Sequence, residues 1–150
     1  MISEAAGGIS EASAVLIATG NRWHATASMF AARAGKDIFL QKPLTLTIQE
    51  GRILSDTVRR YNRIFQVGSQ QRSEEEWRTA CELVRNGVLG KLDRVEVTVG
   101  GPAVPCDLPE EPAEPGLNWE FWLGPAPKRP YNSVLSPRGV HTNYPNWRHY

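Results

Sequence analysis

Three short apolar segments, each ending in turn residues, constrain the fold more than any other feature of this sequence. They span residues 14–18, 37–40 and 64–67. Segments this short, bounded by glycine and polar residues, are typical of strands that are buried on both faces of a parallel sheet. The sequence therefore predicts three such strands.

Helical patterns separate these segments. Residues 24–34 are rich in alanine and stop at Gly35, as expected for a helix with a glycine after its last turn. Thr47 and Glu50 match a capping box, and apolar residues follow at spacings of three and four. Alternating strands and helices with short links predict an α/β fold with right-handed crossovers.

The pattern changes after Gly68. Residues 73–76 match a second capping box, and residues 77–84 carry an apolar helical stripe that places Cys81 in a core. Apolar and polar residues alternate over 92–99, which predicts a strand of an antiparallel sheet with one solvated face. We therefore expect a second domain, of the α+β class, to begin near residue 69.

Composition excludes several classes of function. Seventeen basic and 16 acidic residues give a net charge of +1, which offers no footprint for nucleic acid or for an anionic membrane. No apolar run approaches the ~18–20 residues of a transmembrane helix. Cys81 and Cys106 make neither a disulfide framework nor a metal site. The default localisation is cytoplasmic, and an export signal ahead of Met1 is not excluded.

Ten of the 11 prolines lie between Pro102 and Pro145. The stretch from 100 to 115 is therefore expected to form an extended loop.

Ligands of open parallel sheets bind beyond the carboxyl ends of the strands. Those ends supply residues 19–24, 41–43 and 68–72. Lys42 precedes a proline, which holds its backbone extended, so it can donate to a substrate hydroxyl, or it can be a solvated surface lysine.

Other residues at the strand ends also allow two interpretations. His24 can cap a helix or touch a ligand. Gln70 and Arg72 can line a site or join Ser73 and Glu76 in a helix-start network. The G-x-G-x-x-G, P-loop, G-x-S-x-G and H-E-x-x-H motifs are absent from the sequence.

Five segments carry a resemblance to a known family. They are VLIATGNRWH at 15–24, AGKDIFLQKPL at 34–44, FQVGSQQR at 65–72, VRNGVLGKL at 84–92 and WEFWLGPAP at 119–127. In this order and spacing they resemble the glucose–fructose oxidoreductase/inositol dehydrogenase/MocA (Gfo/Idh/MocA) family of NAD(P)-dependent oxidoreductases. The resemblance implies a partial Rossmann-like domain at 1–68, and a partial substrate or oligomerisation domain at 69–150.

The resemblance also implies a reaction, the transfer of hydride between NAD or NADP and a sugar or polyol hydroxyl carbon. Lys42 would contact the reacting hydroxyl and the nicotinamide ribose, and would act as the catalytic residue. Residues of the cofactor site would be Thr19, Gly20, Asn21, His24, Gln41, Lys42, Gln70, Arg72, Trp147 and Arg148. No metal is implied.

Two residues depart from the family pattern, since Gly20 replaces a proline and Gln41 replaces a glutamate. The family's phosphate-binding glycine turn and its aspartate/histidine pair would lie outside residues 1–150. We therefore expect an internal fragment of a homo-oligomeric enzyme, inactive by itself, with a small sugar-like substrate and no nucleic-acid or membrane partner. The alternative is a non-catalytic binding or assembly module, or an inactive truncated gene product.

Overall fold

The computed structural model describes residues 12–136 and 149–150. The chain divides into two compact units, one up to Lys91 and one from Leu92. This division falls later than the domain boundary at residues 68 and 69 that the resemblance implies.

A three-stranded parallel sheet organises the first unit. Its strands β1 (Ala14–Ile17), β2 (Asp37–Leu40) and β3 (Phe65–Val67) lie in that order. Leu16 is in register with Phe39, and Phe39 with Gln66. The predicted parallel sheet is confirmed, with β1 and β3 each one residue shorter than expected.

Two helices connect the strands, and their ends follow the predicted signals. Helix α1 spans His24–Arg33, and Gly35 after it has a φ of 75°, a left-handed conformation that favours glycine. Helix α2 spans Ile48–Arg60. The Glu50 amide donates to Thr47 Oγ1 at 3.2 Å, and the Thr47 amide donates to Glu50 Oε2 at 3.0 Å, so this capping box is confirmed.

The core of the first unit lies on one face of the sheet. Buried Ile17, Ile38 and Leu40 pack with Ala32 of α1, and Val58 of α2 packs against them. The opposite face is open, since 72% of Leu16 and 38% of Phe39 are exposed. The prediction of strands buried on both faces is therefore wrong for the described residues, because both helices pack on the same side.

A 3₁₀ turn, Gln70–Ser73, and helix α3, Glu75–Arg85, follow β3. The predicted second capping box does not form, because Glu74 is the N-cap and makes no side-chain capping bond. The apolar stripe of α3 is not a core, since the helix buries no residue and Cys81 is exposed.

The second unit contains helix α4, Trp119–Leu123, among irregular segments. Within its described residues, the buried side chains are Leu123, Tyr131, Leu135 and Asn132. Residues 100–114 contain neither helix nor strand, as the loop prediction requires. Residues 92–136 contain no strand, so the antiparallel sheet is not confirmed, and 76–79% of Val95, Val97 and Val99 is exposed. Within the described ranges, no helix is both long enough and apolar enough to cross a membrane.

Candidate functional site at the strand ends

The turns that follow the three strands lie side by side. The Gln41 amide donates to the last carbonyl of β1, on Ile17, at 2.8 Å. The Gly68 amide donates to the last carbonyl of β2, on Leu40, at 2.7 Å. The ladder therefore continues one residue past the sheet and aligns the segments 19–24, 41–43 and 68–72 at one edge. We call these segments the first, second and third turns.

His24 joins the first and second turns. Its ring is 1% exposed, with Nδ1 2.6 Å from the Pro43 carbonyl oxygen and Nε2 3.0 Å from that of Thr19. Carbonyl oxygens only accept, so each contact is a hydrogen bond when that ring nitrogen carries a proton. The helix-cap interpretation is wrong, since the N-cap of α1 is Trp23. Both ring nitrogens face main-chain oxygens, which favours a positioning role.

Gln41 joins the second and third turns. Its Oε1 accepts from the Lys42 backbone amide at 2.8 Å and from Gln70 Nε2 at 2.8 Å. Gly68 lies against this contact, since a Cβ there would be 2.9 Å from Gln41 Oε1. The sequence placed Gly68 in the third strand-end segment, but its contact with Gln41 was not predicted.

Lys42 stands on the second turn, between these two attachments. Its side chain is exposed, and its ammonium has no acceptor among the residues that the structure describes. The Lys42–Pro43 peptide is cis. The turn thus presents a cation to solvent from a backbone that is held on both sides.

The first turn presents Thr19, Gly20 and Asn21, all exposed. Arg22 lies over Gly20, where a Cβ would be 2.6 Å from its Nη1. Burial lowers the pKa of the Arg22 guanidinium. A side chain at position 20 would displace this guanidinium. Arg22 lay within the predicted segment 19–24, but its position over Gly20 was not predicted.

A cavity of about 390 Å³ borders the third turn. It is lined by Phe39, Gln66, Val67, Gly68, Ser69, Gln70, Arg72 and Ser73. The predicted residues Gln70 and Arg72 thus share one cavity. The guanidinium of Arg72 has no acceptor within the described ranges, so the helix-start network with Ser73 and Glu76 does not form there.

Two predicted site residues, Trp147 and Arg148, lie outside the described residues. Among those that are described, no group of three or more histidine, cysteine, aspartate or glutamate residues could hold a metal ion.

Comparison with known proteins relates the part of the chain that forms this edge to a protein family. Residues 4–69 match the model of GFO_IDH_MocA, an oxidoreductase family with an NAD-binding Rossmann fold. This segment belongs to that family. The match includes all three strands and the first two turns.

Individual relatives agree with this assignment. The chain is 36% identical over 78 residues to scyllo-inositol 2-dehydrogenase (NAD(+)) of Bacillus subtilis, covering 52% of this chain and 23% of that protein. It is 27% identical over 92 residues to myo-inositol 2-dehydrogenase of Thermotoga maritima, covering 61% and 28%. The structure of apo scyllo-inositol dehydrogenase from Lactobacillus casei matches with 30% identity and a TM-score of 0.50, covering 53% and 24%. The chain spans about a quarter of the length of these curated relatives.

The family's cofactor is NAD. At this edge Thr19, Asn21, Gln70 and Lys42 present hydroxyl, amide and ammonium groups, which are able to form hydrogen bonds with the hydroxyl and carboxamide groups of such a cofactor. The pyrophosphate usually lies on a glycine-rich turn, and the sequence has no G-x-G-x-x-G.

Proposed function

We propose that this chain supplies the nicotinamide side of an NAD(P)-dependent oxidoreductase site acting on a sugar or polyol hydroxyl. The observation that carries the proposal is Lys42, an exposed ammonium on a turn that His24 and Gln41 hold from opposite sides. The family is NAD-binding, and relatives named as inositol dehydrogenases support a polyol as the substrate class.

Lys42 is the catalytic residue of this proposal. Its ammonium donates a hydrogen bond to the reacting hydroxyl oxygen and stabilises the negative charge that develops there as the hydroxyl proton passes to a base. The family resemblance assigns that base to the histidine of the aspartate/histidine pair. When bound, the cofactor supplies the hydride chemistry. The protein's part is to orient the hydroxyl and to fix the charge beside it.

The remaining predicted residues have supporting roles. Thr19, Gly20 and Asn21 line the ribose side, and Gln70 and Arg72 offer donors from the third turn. His24 and Gln41 act through the turn that carries Lys42. Trp147 and Arg148 are proposed to belong to a substrate or oligomerisation domain beginning near residue 69.

A titration with the two halves of the cofactor tests this proposal. Backbone amide resonances would be followed by NMR during addition of nicotinamide mononucleotide, with adenosine monophosphate as the comparison. We expect shifts in the three turns with the nicotinamide half, at a Kd on the order of 1 mM. Lys42→Met should weaken these shifts, and Lys91→Met, at another exposed lysine, should leave them unchanged.

Two results decide against the proposal. Shifts that avoid the three turns contradict a nicotinamide site there. Equal loss in both lysine variants contradicts a specific role for Lys42.

A second candidate is a binding module without catalysis, favoured by the lack of a G-x-G-x-x-G motif in the sequence. A titration with scyllo-inositol in the presence of nicotinamide mononucleotide, followed by NMR, separates the two. Further shifts in the second turn, lost in Lys42→Met, support the enzyme. A nicotinamide response that the polyol does not change supports the binding module.

A further inference from the structure

The second and third turns are joined by side chains as well as by the backbone. Gln70 Nε2 donates to Gln41 Oε1 at 2.8 Å, across 29 residues of sequence. The Lys42 amide donates to the same oxygen at 2.8 Å. We call this pair of contacts the Gln41–Gln70 bridge.

Both hydrogen bonds of the bridge have the same acceptor, Gln41 Oε1. An amide oxygen has two lone pairs, and here both are used, one for Lys42 N and one for Gln70 Nε2. The Gln41 side chain thus closes back onto its own turn and receives the neighbouring turn at the same atom. Gln70 therefore contacts the atom that also fixes the Lys42 backbone.

Gly68 leaves room for this arrangement. A Cβ at Gly68 would stand 2.9 Å from Gln41 Oε1, 3.3 Å from the Phe39 ring and 3.4 Å from the Leu40 carbonyl oxygen. The shortest of these distances requires movement, and the Gln41 side chain can move whereas the backbone of β2 cannot. A methyl group there would displace the acceptor that the bridge needs.

The opposite side of the second turn has an independent attachment. His24 Nδ1 contacts the Pro43 carbonyl oxygen at 2.6 Å, one residue beyond Lys42. Loss of the Gln41–Gln70 bridge therefore frees the β3 side of the turn while the β1 side stays held. The expected result is a looser Lys42 on an intact fold.

We propose that Gln41 and Gln70 are positioning residues for Lys42, and that Gly68 is required because it leaves space for their bridge. This inference rests on the proposed function for the importance of Lys42. It gives Gln41 and Gln70 a role in fixing this lysine, in addition to the donor that Gln70 offers to a ligand.

Substitution of Gln41 tests the acceptor. Gln41→Met keeps the length of the side chain and removes the oxygen, so hydrogen exchange of the Lys42 amide should rise about fivefold, as for loss of one hydrogen bond. The Kd for nicotinamide mononucleotide should rise by a similar factor, while the melting temperature falls by only a few degrees, as for loss of one hydrogen bond. Gln41→Glu keeps an acceptor oxygen and should restore slow exchange.

Gln71→Met is the matched control, because Gln71 is the neighbouring glutamine and its side chain makes no hydrogen bond within the described ranges. It should leave hydrogen exchange of the Lys42 amide unchanged.

Substitution of Gly68 tests whether the bridge requires a residue without a Cβ at this position. Gly68→Ala should reproduce the exchange rate of Gln41→Met, and the double variant should add nothing further, since both remove one interaction. Gly100→Ala is the control, because a Cβ at Gly100 meets no atom within 4 Å. Circular dichroism would check that each variant is folded.

Three outcomes overturn the inference. They are unchanged Lys42 exchange in Gln41→Met, an equal rise in Gln71→Met, or additive effects of Gly68→Ala and Gln41→Met. Failure of the proposed function is a separate result. In that case exchange responds as expected while nicotinamide mononucleotide perturbs no turn of the wild-type chain.

Discussion

Single residues at the strand ends are held by contacts between distant parts of the sequence. The His24 ring meets Pro43, 19 residues away, and Gln41 meets Gln70, 29 residues away. Sequence reasoning could place all four at one edge, because the carboxyl ends of parallel strands coincide. It could not give the pairing, which depends on side-chain atoms that only the folded turns bring together.

Replacing His24 should destabilise the first unit. His24→Phe fills the buried site but removes the ring N–H, so the carbonyl oxygen that accepts from it, that of Thr19 or that of Pro43, loses its donor. We expect a loss of about 2 kcal/mol. Urea unfolding followed by circular dichroism measures it. His149→Phe, at an exposed histidine, should stay within about 0.5 kcal/mol. Equal effects of the two substitutions would show that the ring contacts are not stabilising.

Glu111 gives the second unit a dependence on pH. Its Oε2 accepts from the Ser133 amide at 2.9 Å and its Oε1 from Asn132 Nδ2 at 3.0 Å. The hydrogen bonds from Ser133, with a smaller one from Asn132, hold the pKa of Glu111 below its ordinary value of 4.5. A depressed pKa contributes stability above pH 4.5, and that contribution is lost as the pH falls through the lowered value.

We therefore expect the melting temperature of the second unit to fall as the pH is lowered below 4.5 and through the depressed pKa of Glu111, because protonation removes the acceptors of Ser133 and Asn132. Near-ultraviolet circular dichroism would follow the transition, since Trp119 stacks on Trp122 in this unit. Glu111→Gln should flatten the dependence. Glu110→Gln, at the exposed neighbouring carboxylate, should retain it, and a flattened curve there would exclude this explanation.

At the scale of elements, two segments of the chain carry the same capping pattern, but only one of them forms the capping box. Thr47 has φ −125° and ψ 157°, the extended backbone that a capping residue needs. Ser73 ends a 3₁₀ turn, and the extended backbone falls on Glu74 instead. The pattern could be read from the sequence, but the turn that moves the helix start by one residue could not.

This difference predicts unequal costs for two similar substitutions. Thr47→Ala removes the acceptor for the Glu50 amide and should cost about 1 kcal/mol. Ser73→Ala removes no capping bond and should cost less than about 0.5 kcal/mol. Thermal or urea unfolding of both variants measures the difference. A cost for Ser73→Ala that matched that of Thr47→Ala would indicate that Ser73 does cap α3 in solution.

The apolar patterns in the sequence also differed in how well they predicted structure. The three apolar segments became strands because each found a neighbour in the ladder. Residues 92–99 alternate well, yet they form no strand, since a strand requires a hydrogen-bonded partner. The stripe on α3 likewise indicates a face that could be buried, without showing what would cover it.

At the scale of the whole molecule, the first unit covers its sheet on one side only. Leu16 and Phe39 are cross-strand partners on the open face, and β1 lies at the edge of the sheet. An exposed apolar edge strand is a template for association with other chains. We therefore expect the chain to self-associate at raised concentration.

A charge on this strand should suppress that association. Leu16→Lys places an ammonium in strand β1, on the open face of the sheet. Burial of a leucine contributes about 1.5–3 kcal/mol, so the association constant should fall by about tenfold or more. Sedimentation velocity across a concentration series measures it. Ile53→Lys is the control, because Ile53 is 47% exposed but lies on helix α2, away from the sheet edge. Association that falls equally in both variants would point to net charge as the cause, whereas a fall confined to Leu16→Lys assigns it to the open sheet.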